Sequence, residues 1–113
     1  MTLEYHNLND NFAVAPQINL EDVQTAANVG FKSIIINRPD FEGGAEQPTS
    51  ADVIAAAKSA GLDIAYQPVI SGQISAEDVQ EFAALITRLP KPILAYCRSG
   101  SRCANLYHEA TAD

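Results

Sequence analysis

Short apolar runs and capped amphipathic helices alternate along this chain, and that alternation restricts the fold more than any other feature. Asn19-x-x-Asp22 opens a helix with apolar positions at Leu20, Val23, Ala26 and Ala27, and Gly30 stops it. A buried strand follows from Phe31 to Asn37, built on Ile34-Ile35-Ile36. A long loop rich in Pro, Gly and acid, Pro39 to Pro48, leads to a second cap at Thr49 and a helix ending at Gly61. Leu62 to Val69 reads as the next strand. Ser75 then caps a helix that buries Val79, Phe82, Leu85, Ile86 and Leu89 before Pro90, and Ile93 to Tyr96 is the last strand. Upstream, Phe12 to Ala15 reads as a short strand, with room for another around Leu3–Tyr5. Repeated β-α units predict an α/β fold of three layers, α-β-α, around a mostly parallel sheet of four to five strands. At 113 residues the chain is read as a single domain, 1–113, that buries roughly 65% of its unfolded surface.

The last strand delivers Cys97 to the carboxyl edge of the sheet, where open α/β folds bind ligands. Residues Arg98 to Arg102 then turn into a helix through Ala104, Asn105 and Leu106. N–H groups of such a turn and the positive helix end point at the sulfur, which lowers the thiol pKa and leaves a cradle for an anion. Gly100 permits the turn, Arg102 offers a planar fork of donors, and Arg98, Ser99 and Ser101 join the cradle. Arg38 and Asp40 end a strand at the same edge and are candidates for the pocket. Cys103 has two readings: a small residue packed under the helix, or a second sulfur close enough to hydrogen-bond or resolve the first.

A net charge of −7 argues against nucleic acid or an anionic membrane as partner, because binding phosphate backbones needs clustered Lys and Arg. His6 and His108 have no ligand-like spacing, so neither a metal nor another cofactor is expected. Two cysteines six positions apart make no disulfide framework. The amino terminus has no basic segment or apolar core of a signal peptide, and the apolar runs are too short for a bilayer. These features predict a cytoplasmic protein with reduced thiols.

Several stretches together resemble one known family: Ala15-Pro16-Gln17-Ile18, Gly30 to Asp40, Gly61-Leu62, Pro68-Val69 with Gly72-Gln73-Ile74, and Leu94 to Arg102. The chain resembles the phosphatase-like domain of the β-lactamase-hydrolase-like proteins, the DUF442 group. Its members are catalogued as provisional phosphatases of dual-specificity-phosphatase fold, while related domains fused to sulfur dioxygenases are regarded as sulfurtransferases. The resemblance implies that Cys97 is a nucleophile and Arg102 the anion-binding arginine. It also marks Cys103 as a departure, since Ser or Thr usually follows that arginine.

Loop length divides the possible activities. Tyrosine phosphatases place five residues between Cys and Arg, whereas four separate Cys97 from Arg102, as in the rhodanese loop that cradles a persulfide. Phosphatases also commonly carry His before the nucleophile and an Asp acid upstream; here stand Tyr96 and the turn Ile70-Ser71-Gly72. The favoured expectation is therefore a rhodanese-like sulfurtransferase that takes sulfane sulfur from thiosulfate or a persulfide onto Cys97 and passes it to a thiol acceptor such as glutathione. The alternative is a protein tyrosine or dual-specificity-like phosphatase that cleaves a phosphate ester through a phosphocysteine, for which Asp40 could act as the acid from the other loop. A third reading is a noncatalytic anion-binding module.

Overall fold

β-branched and apolar residues in unbroken runs of four cannot alternate between core and solvent, so they favour strands covered on both faces. Three runs of this kind, β2 (Phe12–Ala15), β3 (Ser33–Ile36, opened by a buried Ser33) and β5 (Ile93–Tyr96), are buried at every position in the computed structural model, which describes residues 3–112. With β1 (His6–Asn9) and β4 (Asp63–Tyr66) they form a five-stranded sheet in the order β1-β2-β5-β3-β4. The four strands from β2 to β4 run parallel, and β1 pairs antiparallel to β2. β5 is central, with Ile93 opposite both Phe12 and Ser33.

Side-chain alternation sorts the interior into two layers. Ala13, Ile34, Ile36 and Leu94 face Val23 and Ala26 of α1 (Leu20–Val29) and Val53 and Ala57 of α2 (Ser50–Ser59). On the other face, Phe12, Ile35 and Ala95 meet Phe82 and Leu85 of α3 (Ala76–Arg88) and Leu106 of α4 (Ser101–Thr111). The three-layer architecture is as the alternation predicts. Helix starts follow the sequence signals closely. Asn19 and Asp22 exchange side-chain to backbone hydrogen bonds at 2.8 and 2.9 Å, and Ser75 and Asp78 do so at 3.1 and 3.0 Å.

Two strand assignments shift, and a third, expected from Phe31 to Asn37, is shorter at Ser33–Ile36. The first strand lies at His6–Asn9 rather than around Leu3–Tyr5, because the short turn at Asp10-Asn11 fixes which residues can face β2. The strand expected to reach Val69 leaves the ladder after Tyr66; beyond it, the Gln67 and Val69 N–H groups still bond Ile36 and Asn37 carbonyls at 2.9 and 3.0 Å. Among the described residues no helix is long and apolar enough to cross a membrane.

Connectivity locates the functional edge. The chain steps outward from β3 to β4 through α2, then returns through α3 to insert β5 between β2 and β3. Helices change faces at that point, so the crevice at the carboxyl end of β5 is the place where a ligand can approach.

Candidate active site

Cys97 follows β5 directly, and alternation along the strand sends Tyr96 into the α1/α2 layer and Cys97 into the α3/α4 layer. Tyr96 is thus a core residue whose burial raises its phenol pKa, not a polar group beside the sulfur. After Cys97 the chain turns sharply. Gly100 sits in the left-handed region (φ 93°) as the cap residue of α4 and provides no side-chain cap. Its N–H donates instead to Cys97 Sγ at 3.0 Å. Each of α1, α2 and α3 carries an acidic residue in its first turn; α4 carries none, and the Cys97 sulfur occupies the place of that anion.

The thiol is correspondingly acidic, with a pKa lowered to about 5. The Cys103 thiol hydrogen bond is the largest cause; burial opposes it, and N–H groups of Cys103, Ser99 and Gly100 add to the lowering. Cys103 moves the opposite way: burial first, then the neighbouring Cys97, raises its pKa, so it stays a thiol and a donor. Both cysteines are free, and both lie in the α3/α4 layer.

Arg102 comes from the first turn of α4 and is only 8% exposed. Its five N–H donors can be counted. Nη1 donates to Glu42 Oε2 at 2.9 Å and to the Val69 carbonyl at 2.8 Å, and Nη2 donates to Glu42 Oε1 at 2.9 Å. Glu42 therefore takes the end-on face of the guanidinium. The side-on fork, Nε–H with the second Nη2 hydrogen, keeps no protein acceptor among the described residues. That fork suits two oxygens of a tetrahedral anion.

Glu42 also accepts from Arg38 Nε at 3.1 Å, and Arg38 Nη1 donates to Gln17 Oε1 at 3.1 Å. The hydrogen bond from Arg102 is the largest cause holding the Glu42 carboxyl below its usual range; burial opposes it, and the Arg38 hydrogen bond adds to the lowering. The loop pays a conformational cost to aim it: Phe41, just before Glu42, has φ 65° and remains 70% exposed.

Above the sulfur lies an open cleft of about 740 Å³. Of the residues expected at the site, Arg38, Arg98, Ser99, Ser101 and Arg102 line it. Cys97 is 1% exposed and lies beneath this rim rather than on its wall. Asp40 is placed elsewhere: its carboxylate accepts from Ser50 N and Ser50 Oγ, both at 2.7 Å, at the start of α2. Both its oxygens are engaged in capping, which argues against the acid role left open for it. Glu42, Gln17 and the Val69 carbonyl are site residues that the sequence did not reveal. The acid-rich loop was the only hint of Glu42, whose partner lies 60 residues away. His6 lies exposed on β1, and no group of three potential metal ligands occurs among the described residues.

The profile of the phosphatase-like domain of β-lactamase hydrolase-like proteins matches residues 4–113. The β-lactamase hydrolase-like protein of Xylella fastidiosa is 36% identical over 101 residues, which cover 89% of this chain and 23% of that protein. The Agrobacterium fabrum counterpart is 33% identical over 100 residues, covering 88% and 23%. The chain thus spans about a quarter of the length of the curated relatives it matches. A provisionally assigned phosphatase of Neisseria meningitidis superposes with a TM-score of 0.84 at 37% identity, covering 90% of this chain and 72% of the other. Tk-PTP in its active form, at 17% identity and a TM-score of 0.69 over 94% of this chain and 79% of its own, shares the fold. These similarities speak for the phosphatase alternative and lend no support to sulfane transfer.

Proposed function

This chain belongs to the phosphatase-like domain family of β-lactamase hydrolase-like proteins, and from that membership we propose that it is a cysteine-dependent phosphatase acting on phosphate monoesters. One observation carries the reading: an acidic Cys97 sulfur at the amino end of α4 beside an Arg102 whose side-on fork is left open. The Cys97 thiolate attacks phosphorus as the ester P–O bond breaks, and the leaving oxygen departs with the bonding pair. Arg102 and the turn N–H groups bind the phosphoryl oxygens, whose charge they stabilise through the transition state. Water then attacks the phosphocysteine, the P–S bond breaks, and thiolate and inorganic phosphate are released.

Protonation of the leaving group selects the ester. Glu42 is held ionised by two arginines and Asp40 is committed to Ser50, so neither carboxyl is ready to donate a proton. Phenols ionise near pH ~10, about five to six units below water, so a phenolate departs unaided where an alkoxide does not. Aryl phosphates should therefore turn over at least ~100-fold faster than alkyl phosphates. Steady-state hydrolysis with rapid-quench mass analysis tests this, and the expected intermediate is one phosphoryl adduct on Cys97, absent from Cys97→Ser. Wild-type protein that hydrolyses no aryl phosphate overturns the proposal.

Sulfane transfer remains as a second reading because only four residues separate Cys97 from Arg102, which narrows the ring of N–H groups around a phosphate. In that chemistry the Cys97 thiolate attacks the outer sulfur of thiosulfate, sulfite leaves with the S–S bonding pair, and a thiol acceptor such as glutathione takes the sulfur from the Cys97 persulfide. A thiosulfate:glutathione assay run beside the phosphatase assay separates the two. Turnover in neither would leave a noncatalytic anion-binding module. Either activity depends on a reduced Cys97, which fits a reducing compartment such as the cytoplasm.

A further inference from the structure

Three of the chain's four arginines line the cleft, on a protein of net charge −7, and the fold pairs two of them with a single carboxylate. Arg38 and Arg102 share the Glu42 carboxylate. Arg98 is exposed and has no ion pair among the described residues, although its backbone is fixed by the Gln17 N–H donating to its carbonyl at 3.2 Å. With Ser99 it forms the wall between the main cleft and a neighbouring one of about 590 Å³, whose apolar side is Val14, Ala15 and Pro16. The main cleft falls within the ~300–1,000 Å³ range of sites that enclose whole small molecules, so one tetrahedral anion leaves most of it unfilled.

We propose that the site takes an oxyanion ester bearing a second anionic group, with Arg102 holding the reacting group and Arg98 the second. The ester chemistry rests on the phosphatase reading; the binding of two anionic groups does not. A guanidinium has donors only and keeps its charge at any physiological pH, so its complement is a carboxylate or another phosphate. Glu4, which also lines the neighbouring cleft, limits how far negative charge can extend that way. The second anion is therefore held at the Arg98 rim.

Titration calorimetry of the wild-type protein with inorganic phosphate and pyrophosphate tests this without turnover. Pyrophosphate should bind about fivefold more tightly, a modest factor because Arg98 is exposed and its ion pair is screened. Arg98→Ala should bring the ratio to near one, Arg98→Lys should keep part of it, and the wild-type preference should shrink with added salt. Because Arg98 is exposed and belongs to neither core layer, circular dichroism and thermal melting should show all three proteins folded. A wild-type ratio below twofold, no measurable binding of either anion at millimolar concentration, or a preference that survives Arg98→Ala overturns the proposal. In parallel, kcat/KM should favour carboxyphenyl phosphate over phenyl phosphate. Absence of hydrolysis with a pyrophosphate preference intact would remove the phosphatase reading and leave the second-anion site standing.

Discussion

Glu42 grips Arg102 end-on, Oε1 to Nη2 and Oε2 to Nη1, each at 2.9 Å, across 60 residues of sequence. Of the contacts at the site, this one most directly fixes which donors of Arg102 stay open. It also explains why a strained Phe41 is tolerated in an exposed loop: the turn that strains Phe41 aims the next residue at the arginine.

Glu42→Ala should lower kcat/KM by roughly tenfold or more, because losing charge-assisted hydrogen bonds typically costs ~1.5–3 kcal/mol and leaves the fork unaimed. Glu42→Gln should fall between. If phosphate instead binds the Ala variant more tightly, Glu42 competes with the ligand and does not position the arginine. The pH dependence has a definite sign. The folded-state pKa of Glu42 is lowered, so its contribution is present where the unfolded carboxyl is ionised and is lost as pH falls through the folded value. The difference in Tm between wild type and Glu42→Gln should therefore shrink as pH drops below about 4.

Asp40 gives the contrasting case. Both its carboxylate oxygens serve Ser50 at the start of α2, so Asp40→Ala should cost about 1 kcal/mol of stability through lost capping. Its kcat for an aryl phosphate should stay within about threefold of wild type, with an unchanged pH profile. Loss of the basic limb of that profile in the variant would make Asp40 the proton donor after all.

At Gly100 the cost is conformational. A Cβ there would meet the Ala15 backbone at 3.5 Å, which is ordinary contact, but φ 93° is strained for any residue with a side chain. Gly100→Ala should cost ~1–2 kcal/mol and lower Tm by about 4–8 °C. A turn that relaxes to escape the strain would withdraw its N–H from Cys97 Sγ, so the thiolate should also become less stable. An unchanged Tm would show that the turn accommodates alanine.

The residues that could be read from sequence were those whose roles are local. Asn19, Thr49 and Ser75 announce helix starts because a cap is completed within three residues, and all three lie where the pattern put them. Cys97, Gly100 and Arg102 are legible for the same reason, since one strand-to-helix turn carries them all. Strand order was not legible, because inserting β5 between β2 and β3 depends on contacts between distant segments. Nor was Glu42: the loop from Pro39 to Pro48 holds Asp40, Glu42 and Glu46, and only the folded chain brings one of them against Arg102. Asp40 drew attention because it ends the strand, yet its nearest unsatisfied donors were those of α2.

Cys103 tests how the low pKa of Cys97 arises. Its thiol is the leading cause of that shift, so Cys103→Val should raise the Cys97 pKa from about 5 by about one unit or more, whereas Cys103→Ser, which keeps a donor, should raise it less. Thiolate ultraviolet absorbance against pH reads this directly. The stability linked to the Cys97 thiolate is complete above the ordinary cysteine pKa of about 8.5 and is lost as pH falls through about 5, so wild type should lose more of its Tm across that window than Cys103→Val. Peroxide gives a second readout. Attack of the Cys97 thiolate on hydrogen peroxide forms a sulfenic acid and releases hydroxide, which is protonated to water. Attack by the Cys103 thiol on that sulfur then expels water and closes a disulfide that dithiothreitol reverses. Cys103→Ser cannot close it and should carry Cys97 on to sulfinic acid. Equal pKa values in all three proteins, with equal over-oxidation of Cys97, would reduce Cys103 to a packing residue beneath α4.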